Sequence, residues 1–280
     1  MMAARDAEAD MIPAVPGRRL DLFLLAGQSN MSGRGDLEDL AGASPRRAER
    51  IWRWRSMGGW EPARDPLQEP DDPIFAANAD QNGGVGPGLW FADNLAERKA
   101  DMHLGLVLCA RGGTPIDRWR RDESPQSIYG ATLHRVREAS AGGKLRAVLF
   151  SHGESAAHSR EGAEAWRDQF LRFIDNLRRD LSNPRLPVFF TQLGAVSAFR
   201  RTQREHGYAA WDYLKELQAG LSLEDVFMIR TDDLELKPDG IHLSTRSQIE
   251  LGSRFADLVH QTVYRRSAVE PAQPNPGAGR

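Results

Sequence analysis

The sequence predicts an α/β protein with a three-layer α/β/α sandwich and a central parallel sheet of about five strands. Five short apolar runs recur along the chain, and they are continuous rather than alternating. Strands that are buried on both faces of a parallel sheet have this pattern. The segments between the runs carry apolar residues at three- and four-residue steps, which is typical of helices. Because strands alternate with helices, we expect βαβ units with right-handed crossovers.

The predicted elements follow one another without a seam in the chain of 280 residues. The strands are expected at 22–26, 104–110, 147–151, 188–192 and 226–229, and the helices at 88–99, 127–140, 161–181, 202–219 and 244–262. No linker, internal repeat or long charge block divides this pattern. We therefore predict a single domain at 19–265, with disordered extensions at 1–18 and 266–280.

Composition excludes several classes of function. The net charge of −2, from 37 basic and 39 acidic residues, disfavours a nucleic-acid binder. No apolar run reaches the roughly 20 residues of a membrane span, and residues 1–19 lack the apolar segment of a secretory signal. The single cysteine, Cys109, ends an apolar run and is expected to be a buried hydrophobe. A cytoplasmic protein in a reducing compartment is the expectation.

A candidate nucleophile follows the first predicted strand directly. Ser29 lies in the segment Gly27-Gln28-Ser29-Asn30-Met31, immediately after the buried run 22–26. In a doubly wound sheet, ligands bind outside the carboxyl ends of the strands. A serine there can present both its hydroxyl and its backbone N–H to a substrate. By position alone, Ser29 could equally be the N-cap of a following helix.

A candidate base and its partner lie near the other end of the domain. Asp239 and His242 are three residues apart across a glycine turn, in Asp239-Gly240-Ile241-His242-Leu243. A carboxylate on one imidazole nitrogen leaves the other nitrogen free to accept a serine proton. Alone, the same pattern also fits a turn with a surface histidine. The pair indicates a catalytic base only in combination with the candidate nucleophile Ser29.

Two further turns follow predicted strands at the same edge. Gly112 and Gly113 follow the run 104–110, and adjacent glycines let a backbone N–H approach a developing oxyanion. They could also form an ordinary tight turn. His152, in the segment His152-Gly153-Glu154-Ser155, ends the next strand along the chain. All of these motifs therefore lie where the topology predicts a site.

With these segments in place, the sequence resembles the SGNH hydrolase superfamily, in the branch of sialate O-acetylesterase-like domains and family 6 carbohydrate esterases such as acetyl xylan esterases. Five blocks carry the resemblance in the family's order: Gly27-Gln28-Ser29-Asn30-Met31; Gly84-Val85-Gly86-Pro87-Gly88 with Phe91-Ala92; Ala110-Arg111-Gly112-Gly113-Thr114 with Ile116 and Trp119; Gly153-Glu154-Ser155; and Asp239-Gly240-Ile241-His242-Leu243. The resemblance implies a flavodoxin-like fold. It also implies a serine esterase that removes small acyl groups, expected to be acetyl, from a carbohydrate.

Carried over to these positions, the resemblance implies catalytic roles for Ser29 as nucleophile, His242 as general base and acid, and Asp239 as the group that orients His242. The implied oxyanion hole comprises the N–H groups of Ser29 and of the Gly112-Gly113 turn, with His152 in place of the family's glutamine. The expected substrate-binding residues are Gln28, Asn30, Thr114, Trp119 and Glu154. The expected partner is a small acylated carbohydrate or another small acyl ester. No metal or organic cofactor is expected.

Two alternatives remain beside this prediction. The family's Gln-Gly-Glu-Ser-Asp reads His152-Gly153-Glu154-Ser155-Ala156 in this chain. This departure would also fit a weakened or non-catalytic relative that binds glycans, because loss of one oxyanion donor lowers turnover about 100- to 1000-fold. A metal-dependent hydrolase using His152, His158 and His242 is disfavoured, because their spacing matches no compact ligand pattern.

Overall fold

Seven strands form one sheet in the computed structural model, which describes residues 15, 17–76, 83–203 and 207–265. The strands are β1 (Leu20–Gly27), β2 (Ile51–Trp54), β3 (Trp60–Pro62), β4 (Leu104–Ala110), β5 (Gly143–Ser151), β6 (Val188–Thr191) and β7 (Val226–Ile229). Their order across the sheet is β3-β2-β4-β1-β5-β6-β7. Neighbouring strands are parallel except β2 and β3, which are antiparallel. The α/β class and the parallel sheet are confirmed.

The strand count is seven rather than about five, and the difference lies in a hairpin at the sheet edge. The five predicted strands correspond to β1, β4, β5, β6 and β7. The other two, β2 and β3, pair through Trp54 and Trp60 and are joined through Gly58 and Gly59, both with positive φ. These two strands are short, and Arg53 donates to Glu61 across them at 2.6 Å. They therefore lack the continuous apolar run by which the inner strands were predicted.

The helices cover both faces of the sheet. They are α1 (Ser29–Ser32), α2 (Pro87–Arg98), α3 (Ile128–Ala139), α4 (Arg160–Asp180), α5 (Ala198–Thr202), α6 (Trp211–Ala219) and α7 (Thr245–Val259). The helix predicted at 202–219 was too long, since α5 ends at Thr202 and α6 begins at Trp211. A Cβ at Gly207 would lie 2.4 Å from the Gln203 carbonyl oxygen, so Gly207 lies directly against the residue that follows α5.

The core consists of two apolar clusters, one on each face of the sheet. Successive residues of β1 alternate between them: Leu22 and Leu24 join the cluster beneath α3, α4 and α6, whereas Phe23 and Leu25 join the cluster beneath α2 and α7. All four side chains are fully buried. Both faces of the central strand are therefore apolar, which explains its continuous hydrophobic sequence and the three-layer architecture.

The parallel strands bring their carboxyl ends together beside β1. Gly27 is in register with Ala110 of β4 and with Ser151 of β5. A Cβ at Gly27, where φ is +132°, would lie 2.0 Å from the Ser151 carbonyl oxygen, so only glycine fits there. The segments after β1, β4 and β5 thus leave the sheet side by side.

Two predictions concern the chain as a whole. The predicted disordered ends, 1–18 and 266–280, lie outside the described residues except for residues 15, 17 and 18. Among the helices of the described ranges, none is both long and apolar enough to cross a membrane.

Candidate active site

Ser29 is the first residue of α1, directly after the turn that ends β1. The turn is held by Gln28, whose backbone N–H donates to the Ser151 carbonyl at 2.9 Å. Gln28, not Ser29, occupies the N-cap position, and it makes no side-chain capping bond. The helix-cap interpretation of Ser29 is therefore excluded. As the first helical residue, Ser29 also has a backbone N–H without an intrahelical acceptor.

The structure brings Ser29, His242 and Asp239 together. The Ser29 Oγ lies 3.1 Å from His242 Nε2, and His242 Nδ1 lies 2.7 Å from Asp239 Oδ2. With the imidazole proton on Nδ1, His242 donates to Asp239, and its Nε2 accepts from the serine hydroxyl. This is the arrangement in which histidine can take up a proton from serine.

Asp239 is held ionised by its own loop. Burial raises its pKa, but the backbone N–H groups of His242 and Ile241 both donate to Oδ1 at 3.0 Å, and His242 bonds Oδ2. These hydrogen bonds outweigh burial, so the pKa of Asp239 lies below its ordinary value. The carboxylate therefore keeps its charge beside the imidazole.

A neighbouring helix anchors the Asp239 loop from outside. The Arg200 side chain donates through Nε to the Asp239 carbonyl at 2.8 Å, and the Ser197 backbone N–H donates to the Gly240 carbonyl at 3.0 Å. A Cβ at Gly240 would lie 2.1 Å from Ser197 Oγ, so α5 packs directly on this turn. The close contact explains the glycine between the aspartate and the histidine.

The Gly112-Gly113 turn lies beside Ser29, after β4. Its first residue, Arg111, donates its backbone N–H to the Gly27 carbonyl at 3.0 Å, and Thr114 Oγ1 donates to the Arg111 carbonyl at 2.7 Å. Gly113 has a φ of +67°, a conformation that favours glycine. The turn is thus tied to the strand that carries the serine, and its glycine N–H groups remain candidate oxyanion donors.

His152 is buried beneath this turn with both ring nitrogens engaged. Nε2 lies 2.8 Å from the Thr114 carbonyl, and Trp166 Nε1–H donates to Nδ1 at 3.1 Å. A carbonyl only accepts and an indole N–H only donates, so the proton must be on Nε2. Burial lowers the pKa of His152 to about 3, although the Thr114 bond acts in the opposite direction. His152 is therefore neutral at physiological pH.

This bonding does not fit the oxyanion role predicted for His152. A neutral imidazole has a single N–H, and that N–H is already donated to the Thr114 carbonyl. The ring also stacks on Phe150, with the two ring centroids 5.6 Å apart. We revise the prediction: His152 supports the Gly112-Gly113 turn through its bond to the Thr114 carbonyl, and it donates no hydrogen bond to a ligand.

The residues predicted to bind substrate are all buried. Gln28, Asn30, Thr114, Trp119 and Glu154 each expose at most 7% of their surface. Trp119 packs in the core against Phe150 and Phe173, and Asn30 and Glu154 bond each other at 2.8 Å. For Trp119, Asn30 and Glu154 we replace the predicted substrate contact by a supporting role. For Gln28 and Thr114 it stays a prediction.

No cluster of His, Cys, Asp and Glu in the described ranges could hold a metal ion. The histidines of the metal hypothesis do not share a bonding partner. His158 bonds the Gly207 carbonyl at 3.1 Å and stacks on Tyr208. Cys109 is buried, and burial raises the pKa of its thiol to about 12, in agreement with the prediction of a buried hydrophobe.

Sequence reasoning missed two residues that support the site, Trp166 and Arg200. Trp166 lies on the apolar face of α4, where its spacing indicates core packing. Arg200 is followed by Arg201 in α5, and such a basic pair is typical of a solvated helix face. Only the tertiary contacts with His152 and Asp239 distinguish these two residues from ordinary helix residues.

Comparison with known proteins identifies the family to which this fold and site belong. The family model described as "Carbohydrate esterase, sialic acid-specific acetylesterase" matches residues 19–261. A probable carbohydrate esterase of Arabidopsis thaliana is 32% identical over 249 residues, which span 84% of this chain and 88% of the relative. This chain belongs to the sialic acid-specific acetylesterase family of carbohydrate esterases.

Solved structures agree in fold. The X-ray structure of a protein from Arabidopsis thaliana, 32% identical, has a TM-score of 0.73 and covers 88% of this chain and 100% of its own. A carbohydrate acetylesterase from Xanthomonas citri is 23% identical, with a TM-score of 0.65, and 88% of this chain aligns with 56% of that one. At that identity the second likeness shows the shared fold alone.

Proposed function

We propose that the protein is a serine esterase that hydrolyses small acyl esters of a carbohydrate, with acetyl as the acyl group. The observation that carries the proposal is the geometry of three side chains. Ser29 Oγ lies 3.1 Å from His242 Nε2, and His242 Nδ1 lies 2.7 Å from Asp239. Membership of a carbohydrate esterase family supports the choice of an ester bond and of a sugar as the alcohol.

The proposed reaction has two acyl-transfer steps. His242 accepts the hydroxyl proton as Ser29 Oγ attacks the ester carbonyl, and the charged imidazole is stabilised by Asp239. The same proton then passes to the leaving sugar oxygen, and an acyl-enzyme remains on Ser29. Water, deprotonated by His242, attacks that acyl group and releases the acid and the free serine.

The oxyanion that forms in each step is proposed to be stabilised by backbone N–H groups. The donors are those of Ser29 and of the Gly112-Gly113 turn. Among the bonds that keep the turn in position are those from the Arg111 N–H to the Gly27 carbonyl and from His152 to the Thr114 carbonyl. Each such donor contributes about 100- to 1000-fold to turnover, so the stiffness of the turn matters to the rate.

Parallel assays of wild type and Ser29→Ala test the proposal. The substrates are 4-nitrophenyl acetate, acetylated xylan and O-acetylated sialic acid, with released acetate measured for the two glycans. We expect wild-type hydrolysis and, in the variant, a loss of at least about 1000-fold. Undiminished hydrolysis by Ser29→Ala would refute the assignment. Glycan binding by wild type without any turnover would favour the non-catalytic alternative.

A further inference from the structure

Asn30, the residue next to the nucleophile, connects Ser29 to the loop that carries His242. Its Oδ1 accepts the backbone N–H of Leu243 at 3.0 Å, and its Nδ2 lies 3.5 Å from the Ile241 carbonyl. These two residues are the immediate chain neighbours of His242. One amide side chain therefore bonds the backbone on both sides of the base, although the two segments are more than 200 residues apart in the sequence.

The partners of Asn30 allow only one orientation of its amide. The Leu243 N–H requires an acceptor, so Oδ1 must face it. The remaining partners, the Ile241 carbonyl and Glu154 Oε1, are both acceptors and require Nδ2. The shortest of these bonds is the one from Nδ2 to Glu154, at 2.8 Å. Glu154 thus supplies the shortest of the bonds that hold the Asn30 amide in this orientation.

Glu154 occupies an unfavourable position for a carboxyl group. It is 5% exposed, it forms no ion pair within the described ranges, and its second oxygen, Oε2, lacks a hydrogen-bond partner there. Burial also raises the pKa of this carboxyl. A buried carboxyl without a basic partner lowers stability. Within the described ranges, the side-chain bond that this carboxyl forms with another residue is the one from Asn30, so stability alone does not explain the residue.

We propose that Asn30 and Glu154 are a positioning pair, in which Glu154 Oε1 holds the Asn30 amide and that amide sets the distance between Ser29 Oγ and His242 Nε2. The proposal rests on the esterase function proposed above. Neither side chain touches the reacting atoms. The pair acts by keeping the nucleophile and the base in reactive geometry, where an error of about 1 Å lowers the rate about 100-fold.

Exchange of donor and acceptor between the two side chains tests this pair. In Asn30→Asp, one oxygen can still accept from Leu243, but the other has no hydrogen for the Ile241 carbonyl and faces a second buried carboxyl, that of Glu154. We expect kcat for 4-nitrophenyl acetate to fall about 10- to 100-fold, with KM little changed. Glu154→Gln keeps a weaker, neutral acceptor for Asn30, and kcat is expected to fall about fivefold, less than in Asn30→Asp.

The double variant Asn30→Asp with Glu154→Gln restores the bond with reversed polarity. The glutamine amide can donate to the introduced aspartate, so kcat is expected to recover about tenfold over Asn30→Asp alone. Asn94→Asp is the matched control, because the Asn94 amide donates to the Trp90 carbonyl within α2. Thermal unfolding of each variant identifies any loss that comes from misfolding.

The rate at which a fluorophosphonate probe labels Ser29 separates the possible failures. We expect fast labelling of wild type, slow labelling of Asn30→Asp and partial recovery in the double variant. Equal labelling of wild type and Asn30→Asp, or a double variant no better than Asn30→Asp, overturns the positioning pair alone. A wild-type protein that is not labelled at Ser29 overturns the proposed function, and the positioning pair with it.

Discussion

His152 is predicted to make the folded protein less stable in mild acid. Burial lowers the pKa of this imidazole to about 3, from an ordinary value of 6.5. The unfolded chain therefore binds a proton between pH 6.5 and 3 that the folded protein does not bind. The part of the stability that depends on a neutral His152 is fully present above pH 6.5. It decreases as the pH falls through this window and is lost below pH 3.

The magnitude follows from the width of that window. Each unit by which the pH falls within this window lowers the free energy of unfolding by about 1.4 kcal/mol. At pH 4.5, two units below the ordinary pKa, His152 lowers the stability by about 3 kcal/mol relative to pH 8. This is a large part of the roughly 5–15 kcal/mol that stabilise a typical domain.

His152→Gln isolates this contribution. Glutamine does not titrate, yet its amide can donate to the Thr114 carbonyl and its oxygen can accept from Trp166. Urea unfolding of both proteins at pH 8 and pH 4.5 measures the effect. We expect the stability difference between them to shift by about 3 kcal/mol in favour of the variant at the lower pH. A difference that stays constant would refute the neutral, doubly bonded imidazole.

Three further perturbations test the site and the core. Asp239→Asn is expected to leave the fold intact and lower kcat for an aryl acetate by about 10³- to 10⁴-fold, because His242 loses the group that holds its tautomer. Cys109 is expected to remain unreactive toward a thiol reagent at pH 8 until urea unfolds the protein, because it is buried and its pKa is raised to about 12. Arg135→Met is expected to lower the free energy of unfolding by about 3–5 kcal/mol in denaturant titrations, because it leaves the buried carboxylate of Asp72 without its two bonds from Arg135.

Much of the fold could be predicted from the sequence because the inner strands are apolar on both faces. Phe23 and Leu24, for example, point to opposite clusters and are both fully buried, so the run reads as continuous. The two strands of the hairpin, β2 and β3, escaped prediction for the opposite reason. In β2, the segment Trp52-Arg53-Trp54 mixes aromatic and charged residues, although the strand pairs with β4 on one side and with β3 on the other.

In the candidate site, residues that lie in local sequence motifs could be predicted, whereas roles that depend on tertiary contacts could not. Ser29, Asp239 and His242 could be predicted because each lies in or beside a turn that contains glycine, close to the end of a strand or the start of a helix. The role of His152 could not be predicted, since it depends on Trp166, a residue of α4 whose spacing indicates only core packing. Hydrogen-bond partners across helices are tertiary facts that local patterns do not contain.

The most direct test of the central claim is detection of the acyl-enzyme. Wild-type protein would be mixed with excess 4-nitrophenyl acetate, quenched in acid during turnover, digested and mapped by mass spectrometry. We predict one acetyl group on the peptide that contains Ser29, and none on that peptide in Ser29→Ala. An acetyl group that accumulates at another residue during turnover, with none on the Ser29 peptide, would contradict Ser29 as the nucleophile.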